Sequence, residues 1–437
     1  MVRPGQTTAG TGTSATVALA HGLFGSGDAW PQFHAGGPNA GVALRHTAPP
    51  LRPAWRRELG LVTASVPVVD SAGSVYLGTA SGALLRVSAD GSSLSRRDYG
   101  RRIHAPVAVA GDGAVYFLMH EQIDDDDELP LRTTLVKTDA TLAPVWTVAL
   151  PDGFVATGAP KLWEQPDGVD VFVHVADGFS SELLVYSSTG ALRARSGAAR
   201  CTRPIVGEGP FSAIGDFVDW LGDIMWLDVP PPAGIRFPMP SPTPAIVDYN
   251  GLIPAGRALI VTIDDLCSIR AFAYDGATLD ERWARGFKLD LRHSSPAVIA
   301  GGLLVIGDDD GQVLGLDVLT GTELWAYDAG ESVLATPSSF VRPIFVVSRT
   351  RLHSLELNGT LRETREIEDL SAASPAVSGD FVHVSASNEL ASFSIASLGD
   401  DVRDSDFRGG LLGPAVGPDG TLYAVHDHTE LWAYAAP

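Results

Sequence analysis

The sequence has little of what several protein classes require. It contains 2 Cys and few Lys in 437 residues, and it has no run of 18 apolar residues that would form a transmembrane helix. Its net charge is −21, which disfavours binding to a nucleic-acid backbone because such binding depends on clustered Lys and Arg. These absences predict a protein that neither spans a membrane nor binds nucleic acid.

Proline and glycine, by contrast, are frequent and regularly placed, with 30 Pro and 47 Gly. A motif of a small or hydroxyl residue, Pro, a small residue and Val recurs eight times, at steps of 39, 54, 84, 52, 41, 38 and 39 residues. The basic unit is therefore about 40 residues, which is typical of a β-propeller blade of four short strands. The eight prolines are Pro67, Pro106, Pro160, Pro244, Pro296, Pro337, Pro375 and Pro414.

The second strand of each unit can be counted independently of the prolines. Residues 295–327 show the unit most plainly, because four runs of alternating apolar residues are separated by Gly- and Asp-containing turns. Eight second strands are predicted, which agrees with the eight prolines. They are Ser74–Gly78, Ala114–Met119, Val169–Val175, Ala258–Ile263, Leu303–Gly307, Ile344–Ser348, Phe381–Ser385 and Thr421–Val425.

The sequence also predicts how the ring closes. The last copy ends at Pro437, 23 residues after Pro414, which is too short for four strands. The segment Pro53–Leu59 resembles the fourth strand around Trp325, so we expect it to complete the eighth blade and to protect its edge. The predicted fold is an all-β, eight-bladed propeller of four-stranded antiparallel blades over residues 30–437. Residues 1–29 are predicted to be a flexible leader or linker.

Two segments interrupt the period and predict a binding face. Glu121–Arg132 lies between the second and third strands of blade two, and Arg203–Pro240 lies between blades three and four. Both types of connection leave a propeller on one face, and insertions gathered on one face are typical of a binding surface. Candidate partner-binding residues are Phe217, Trp220, Trp226, Asp124, Asp125, Asp126 and Asp127.

The larger insertion contains a predicted amphipathic helix, with apolar residues at helical spacing from Ile214 to Met225. It is either a lid or docking surface, or a helix that simply packs on the ring. The acidic run is expected to be solvated, because it lacks the alternating spacing of a calcium loop. Thr202–Val206 competes with Thr243–Val247 for the role of first strand in blade four.

The two cysteines, Cys201 and Cys267, fall in connections on the same face of adjacent blades. A disulfide between them is conceivable in an oxidising compartment, and two buried free thiols are the alternative. The segment His21–Asp28 looks like the oxyanion-hole loop of α/β hydrolases. The sequence lacks the Gly-x-Ser-x-Gly motif that those enzymes require, so we do not expect that activity.

The repeats resemble the PQQ-like, quinoprotein-type β-propeller family. The resemblance rests on Gly307–Asp317 with Thr320–Trp325, on Val75–Gly78 and Val115–Phe117, and on Trp30–His34 with Asn39–Gly41, and it covers nearly the whole chain. The family implies one of two activities. Its dehydrogenases hold pyrroloquinoline quinone, usually with calcium, over the ring axis, whereas its catalytically silent members are scaffolds. This chain has no adjacent Cys–Cys pair and no Cys-x-x-Cys-His motif, which favours the second kind.

We therefore predict a monomeric, non-catalytic scaffold without a cofactor or metal, which binds a protein or glycan partner through the insertion-bearing face. The alternatives are an oxidoreductase that uses pyrroloquinoline quinone with calcium, and a propeller glycan hydrolase or lyase. The resemblance implies a bacterial protein of the periplasm or the extracellular space. Its export signal would be absent from this chain, since Thr16–Phe24 is too weakly apolar to be a signal-peptide core. A cytoplasmic location remains the alternative.

Overall fold

A computed structural model describes residues 30–35, 39–43, 47, 52–103, 105–122, 131–156, 158–165, 168–176, 180–197, 199–200, 243–248, 258–264, 268–286, 294–299, 302–333, 335–339, 343–367, 373–386, 388–399, 401–408 and 412–435. These residues form eight antiparallel sheets, which confirms the predicted all-β propeller. The only helical element among them is one 3₁₀ turn, Phe33–Ala35. No helix within the described ranges has the length and hydropathy needed to cross a membrane.

Each blade runs from an inner strand through a second and a third strand to an outer strand. The first four blades comprise Val68–Val69, Val75–Gly78, Ala83–Val87 and Leu94–Asp98; Ala108–Val109, Val115–Gln122, Leu131–Thr138 and Pro144–Ala149; Lys161–Gln165, Gly168–Ala176, Ser180–Ser187 and Leu192–Arg195; and Ala245–Asp248, Ala258–Asp264, Ser268–Tyr274 and Leu279–Gly286. In blade three, Ala199–Arg200 pairs with the beginning of the third strand.

The remaining blades repeat this order. They comprise Ala297–Ile299, Leu303–Gly307, Gln312–Asp317 and Glu323–Asp328; Ile344–Val347, Arg351–Leu355 and Leu361–Glu366; Ala376–Ser378, Phe381–Ser385, Leu390–Ser394 and Asp401–Asp404; and Ala415–Val416, Leu422–His426, Glu430–Ala435 and Arg52–Glu58. In blade six, a single bridge between Ser338 and Phe345 takes the place of the inner strand. Val42–Ala43 lies outside this order and pairs in parallel with the inner strand of blade seven.

The N-terminal strand closes the ring, as the sequence predicts. Arg52–Glu58, named here the closing strand, pairs antiparallel with Glu430–Ala435 and supplies the outer strand of blade eight. The inner strand of blade one then touches the inner strands of both blade two and blade eight. The ring therefore has no unpaired seam, although its first and last strands are joined by hydrogen bonds and not by a turn.

The hydrophobic core lies between neighbouring blades. One cluster, for example, joins blades four and five through the apolar faces of their inner, second and third strands, including Val261 and Leu304. Four tryptophans of outer strands connect neighbouring blades at the periphery, because each indole N–H donates to a carbonyl oxygen in a turn of the next blade. These bonds run from Trp55 to Ala89 (3.1 Å), Trp146 to Ser188 (2.9 Å), Trp283 to Val318 (2.9 Å) and Trp325 to Leu357 (2.8 Å). Between blades six and seven, Arg365 Nε donates to Leu398 O at 2.9 Å in the corresponding place.

The repeated hydroxyl–proline motif has a structural reason. The inner strand is an edge strand, so a proline at its beginning removes no ladder hydrogen bond. The hydroxyl before the proline accepts a backbone N–H from the same position of the preceding blade. This contact joins Ala159 N to Thr243 Oγ1 (3.0 Å), Thr243 N to Ser295 Oγ (3.0 Å) and Thr336 N to Ser374 Oγ (2.9 Å).

One detail of the prediction changes, and one open alternative is decided. The interruption in blade two is shorter than Glu121–Arg132, because the hairpin continues with pairing between residues 121 and 132 and between residues 122 and 131. Polar side chains alternate along this part of the hairpin, so its sequence resembles that of a loop. The sequence therefore did not predict the extension. In blade four, Ala245–Asp248 pairs with the second strand, so the segment Thr243–Val247 is the first strand, as one of the two alternatives predicts. The competing segment, 202–206, lies outside the described residues.

Candidate functional site

One face of the ring gathers two kinds of connection, and we name it the connection face. It carries the turns between second and third strands and the links from each outer strand to the next inner strand. Isolated bridges join the two kinds: Thr63 to Thr79, Arg102 to His120 and Val155 to Ala176. Because strands alternate in direction within each blade, the turns between first and second strands lie on the opposite face.

The longest connection of the ring and the longest turn between a second and a third strand both begin and end on this connection face. Residues 123–130 join the second and third strands of blade two, and residues 201–242 join blade three to the inner strand of blade four. The candidate residues that the sequence suggests lie in these connections or in the similar connection at 265–267, all of them outside the described residues. Their roles therefore stay predictions. These residues are Asp124, Asp125, Asp126, Asp127, Phe217, Trp220, Trp226, Cys201 and Cys267.

A segment of the chain itself lines the inner strands of the ring. The described residues between 30 and 47, named here the axial segment, contact the innermost part of every blade. Along the segment the hydrogen bonds reach the blades in ring order: Trp30 to Val69, Pro31 to Val109, Gln32 to Leu162, Asn39 to Thr243 and Pro296, Ala40 to Ser339, Gly41 to Val377, and Thr47 to Ser378 and Gly420. Trp30 is 2% exposed and Asn39 is fully buried, so the segment belongs to the core.

Two buried polar side chains hold the axial segment in place. Asn39 Nδ2 donates to Thr243 O at 3.1 Å and to Pro296 O at 3.0 Å, which ties the segment to blades four and five. Lys161 Nζ donates to Phe33 O at 2.6 Å from the inner strand of blade three. Complete burial lowers the pKa of the Lys161 ammonium well below its ordinary value.

The described inner strands supply few groups that could hold a quinone with its metal. A tricarboxylate quinone and calcium would need several cationic or amide donors together with a set of carboxylate ligands. Among the described inner strands the one Lys or Arg is Lys161, and its ammonium already donates to Phe33 O. No group of three His, Cys, Asp or Glu side chains suited to a metal ion occurs within the described ranges.

A buried polar network lies under the connection face at blade six. His353 Nε2 is 2.8 Å from Ser348 Oγ, and His353 Nδ1 is 3.0 Å from the hydroxyl of Tyr327. Ser348 Oγ is also 3.1 Å from Glu331 Oε2, and the same carboxylate accepts hydrogen bonds from Thr350. Burial lowers the pKa of His353 to about 4, so the ring is neutral at pH 7.

The network has the residue types of a nucleophilic serine, but a proton arrangement that satisfies all of its members leaves the serine inactive. If Tyr327 donates to Nδ1, the neutral His353 donates from Nε2 to Ser348 Oγ, and Ser348 in turn donates to Glu331. A serine that receives a proton from histidine is not activated by it. Ser348 is also fully buried, so no substrate reaches its hydroxyl. The network is therefore a structural tie between the Glu331 connection and blade six.

Sequence reasoning assigned the axial segment no position. The segments Trp30–His34 and Asn39–Gly41 carry part of the family resemblance, but the resemblance contains no information on which inner strands they contact. The network at His353 has no local signature either, since its members come from an outer strand, a connection and a hairpin. The one sign of such a network in a sequence is a polar residue within a predicted buried strand. His353 is such a residue, and the structure shows it to be 2% exposed.

Comparison with known proteins agrees with this architecture. A PQQ-repeat family model described as "Outer membrane protein assembly factor BamB" matches residues 251–436, which is less than half of the chain. A search among curated proteins finds no match. Together with the eight-bladed ring, the match supports a likeness of the chain to PQQ-like β-propellers.

Several solved structures resemble the chain. BamB from Moraxella catarrhalis has 14% sequence identity and a TM-score of 0.61, over 88% of this chain and 99% of that one. A quinohemoprotein alcohol dehydrogenase from Comamonas testosteroni has 13% identity and a TM-score of 0.63, over 97% and 82% of the two chains. A europium-containing methanol dehydrogenase has 12% identity and a TM-score of 0.62, over 94% and 91%. Identities this low show the shared fold alone.

Proposed function

We propose that the protein is a non-catalytic scaffold that binds a protein or glycan partner through its connection face. The observation that supports this proposal is the placement of residues 201–242, the longest connection, and of residues 123–130, the longest turn between a second and a third strand. Both leave the ring on that face, at blades two to four. Propellers present partners with a rigid rim of turns, and long connections on one face extend that rim. The family match to a described assembly factor is consistent with a protein partner.

The oxidoreductase alternative has less support from the described residues. The inner strands supply mostly small apolar side chains, and the axial segment uses the polar groups Asn39 and Lys161 for its own hydrogen bonds. For the hydrolase alternative, the buried Ser348–His353 pair offers no accessible nucleophile. We therefore derive no catalytic step for this protein.

The face can be tested by site-specific photo-crosslinking in the producing cells. A photoreactive residue at Arg349, an exposed turn position on the connection face, is compared with one at Ala72, an exposed turn position on the opposite face. We expect partner adducts from position 349 at several times the yield from position 72. Equal yields from the two positions would show that the connection face is not the binding surface.

The absence of catalysis has its own test. The purified protein is incubated with pyrroloquinoline quinone and Ca²⁺, and dye reduction is followed with alcohols and sugars as substrates. We expect no turnover above the rate of free quinone. Quinone-dependent turnover would overturn the scaffold proposal, and release of reducing ends from a glycan would overturn it in favour of a hydrolase or lyase.

The proposed compartment is outside the cytoplasm, and the proposed state is a monomer. The likeness to PQQ-like propellers supports the first point, and the closure of the ring within one chain supports the second. Sedimentation velocity of the purified chain and fractionation of the cells that produce it test these two points directly.

A further inference from the structure

The outer strand of blade two differs from the seven other outer strands of the ring. Pro144–Ala149 contains no charged residue, and no charge occurs anywhere from Ala140 to Pro151. Each of the other seven contains at least two Asp, Glu, Lys or Arg residues. They read LSRRD, LRAR, LDERWARG, ELWAYD, LRETRE, DVRD and, for the closing strand, RPAWRRE.

Charge matters at this position because outer strands expose unpaired backbone groups. Natural sheets protect such edges from other chains with charged side chains, prolines or bulges. Elsewhere on the ring these charges form ion pairs at the rim, such as Arg285 with Glu323 and Arg270 with Glu281. Blade two lacks these charges along an apolar, β-branched strand, which is the composition that pairs most readily with another strand. Its proline and its bulge, at Pro144 and Val145, lie only at the beginning of the strand.

The pairing pattern shows which backbone groups face outward. Leu150 N donates to Thr133 O, and the register continues through Val148 opposite Leu135. In an antiparallel ladder these alternate residues bond to the third strand. The backbone N–H and C=O of Thr147 and Ala149 therefore point to the open edge, where both residues are exposed.

The edge is also held rigidly. Trp146 Nε1 donates to Ser188 O at 2.9 Å, and the side chains of Trp146 and Val148 pack over Gly190 in the turn of blade three. A strand that is already fixed in its extended form loses little conformational entropy when a second strand pairs with it. Val145, with 57% of its surface exposed, stands on the opposite side of the strand from this packing.

We propose that the outer edge of blade two accepts an extended, uncharged or basic segment of a partner polypeptide as a fifth strand. Backbone hydrogen bonds to Thr147 and Ala149 supply the pairing, and β-branched side chains of the partner lie beside Val145 and Thr147. Pro144 and Pro151 bound the site, because neither has an N–H to donate, and limit it to a segment of about six residues. This rim site is separate from the connection face and does not depend on the function proposed for that face.

A second copy of the chain fits the edge less well than a peptide segment. Two strands of this length meeting on convex rims are about 20 Å long and bury far less than the roughly 1,000 Å² that a stable dimer needs. Each copy also has a net charge of −21, which opposes self-association and favours a neutral or basic partner.

The test uses a fluorescent acetylated peptide of three Thr-Val repeats, with two flanking lysines, against the full chain. We expect saturable binding together with slowed hydrogen exchange at the amides of Thr147 and Ala149. The same peptide with two flanking glutamates should bind at least several times more weakly. Absence of binding, or binding without protection of these two amides, would overturn the proposal.

Two substitutions at the edge sharpen this experiment. Thr147→Pro removes one outward N–H without touching the internal ladder, and it should weaken the peptide about fivefold. Thr147→Lys keeps the backbone N–H and adds a charge of the kind that the other outer strands carry. This variant tests the site if the proline variant folds poorly. The matched control is Ala326→Pro or Ala326→Lys at the same position of blade five, between Glu323 and Asp328.

The control substitutions should leave peptide binding unchanged. Equal losses from positions 147 and 326 would contradict a site at blade two. Protection of Thr147 and Ala149 without any peptide, together with a dimer in sedimentation velocity, would show that a second copy is the occupant and would also contradict the proposal.

Discussion

The side-chain amide of Asn39 donates a hydrogen bond to the carbonyl oxygen of Pro296 over 3.0 Å, joining two residues that are 257 positions apart. The same amide reaches Thr243 O at 3.1 Å, so one buried residue of the axial segment connects two neighbouring blades. Asn39 has a φ of +57°, a left-handed conformation that asparagine tolerates better than most residues. Asparagine therefore suits this position both in its backbone conformation and in the hydrogen bonds of its side chain.

Asn39→Ala should lower the free energy of unfolding by about 2–4 kcal/mol, because it leaves buried carbonyls without their donor and adds left-handed strain. Asn39→Gly is the control, since it removes the amide but relieves the strain, and it should be the milder change. Thermal unfolding of the three proteins measures the difference. A glycine variant as stable as the parent would show that the amide contacts contribute nothing.

The hydroxyl that precedes four of the eight prolines should contribute to the joint between blades. Ser295→Ala leaves the buried backbone N–H of Thr243 without its acceptor at 3.0 Å, and we expect a loss of about 1–3 kcal/mol. Ser295→Thr keeps the hydroxyl and should lose much less. If both variants unfold at the temperature of the parent, the repeated motif has another origin.

Two glycines at the rim allow the effect of steric contact on stability to be distinguished from the effect of backbone strain. Gly359 has a φ of +80°, and a Cβ there would lie 2.7 Å from the Trp325 indole. Gly330 has a φ of +73° with open space around it. Gly330→Ala should therefore destabilise by roughly 1 kcal/mol from strain alone, and Gly359→Ala by at least about 2 kcal/mol more. Similar shifts in the unfolding midpoint would mean that Trp325 does not pack tightly on this turn.

Stability should fall in mild acid because of His353. Burial lowers its pKa from 6.5 to about 4, so between these values the unfolded chain binds more protons than the folded protein. The stability that this neutral ring provides is complete above pH 6.5 and is lost as the pH falls towards 4, by up to about 3 kcal/mol. His353→Gln should show a smaller loss than the parent in urea unfolding between pH 7 and pH 5. An identical pH dependence in both proteins would contradict the assignment.

The blades could be predicted from sequence because their signals are local. The prolines, the turns and the alternating second strands recur within about 40 residues, and each second strand in the structure lies within a few residues of its prediction. The closing strand was predictable for the same reason, since Trp55 lies in a local pattern like that of Trp325. The structure then explained the motif, through bonds such as Thr243 N to Ser295 Oγ.

The axial segment and the edge of blade two could not be found in this way. Thr47 bonds to Gly420, 373 positions away, and no local period encodes such a contact. The open edge at Thr147 became visible only when the register showed which backbone groups face outward. The candidate residues of the long connections remain predictions, because the sequence gives their composition but not their arrangement.

The most direct test of the account is a cross-link between the closing strand and blade eight. Glu58 lies opposite Glu430, and Leu59 N donates to Thr429 O, which makes positions 58 and 430 a non-hydrogen-bonded pair with closely spaced Cα atoms. In a background with Cys201→Ser and Cys267→Ser, Glu58→Cys with Glu430→Cys should oxidise to one monomeric cross-linked species and raise the unfolding midpoint. The control, Glu58→Cys with Leu431→Cys, should not, since a neighbouring residue points to the other side of the sheet. Equal cross-linking in both pairs, or cross-links only between separate chains, would show that the N-terminal strand does not close this ring.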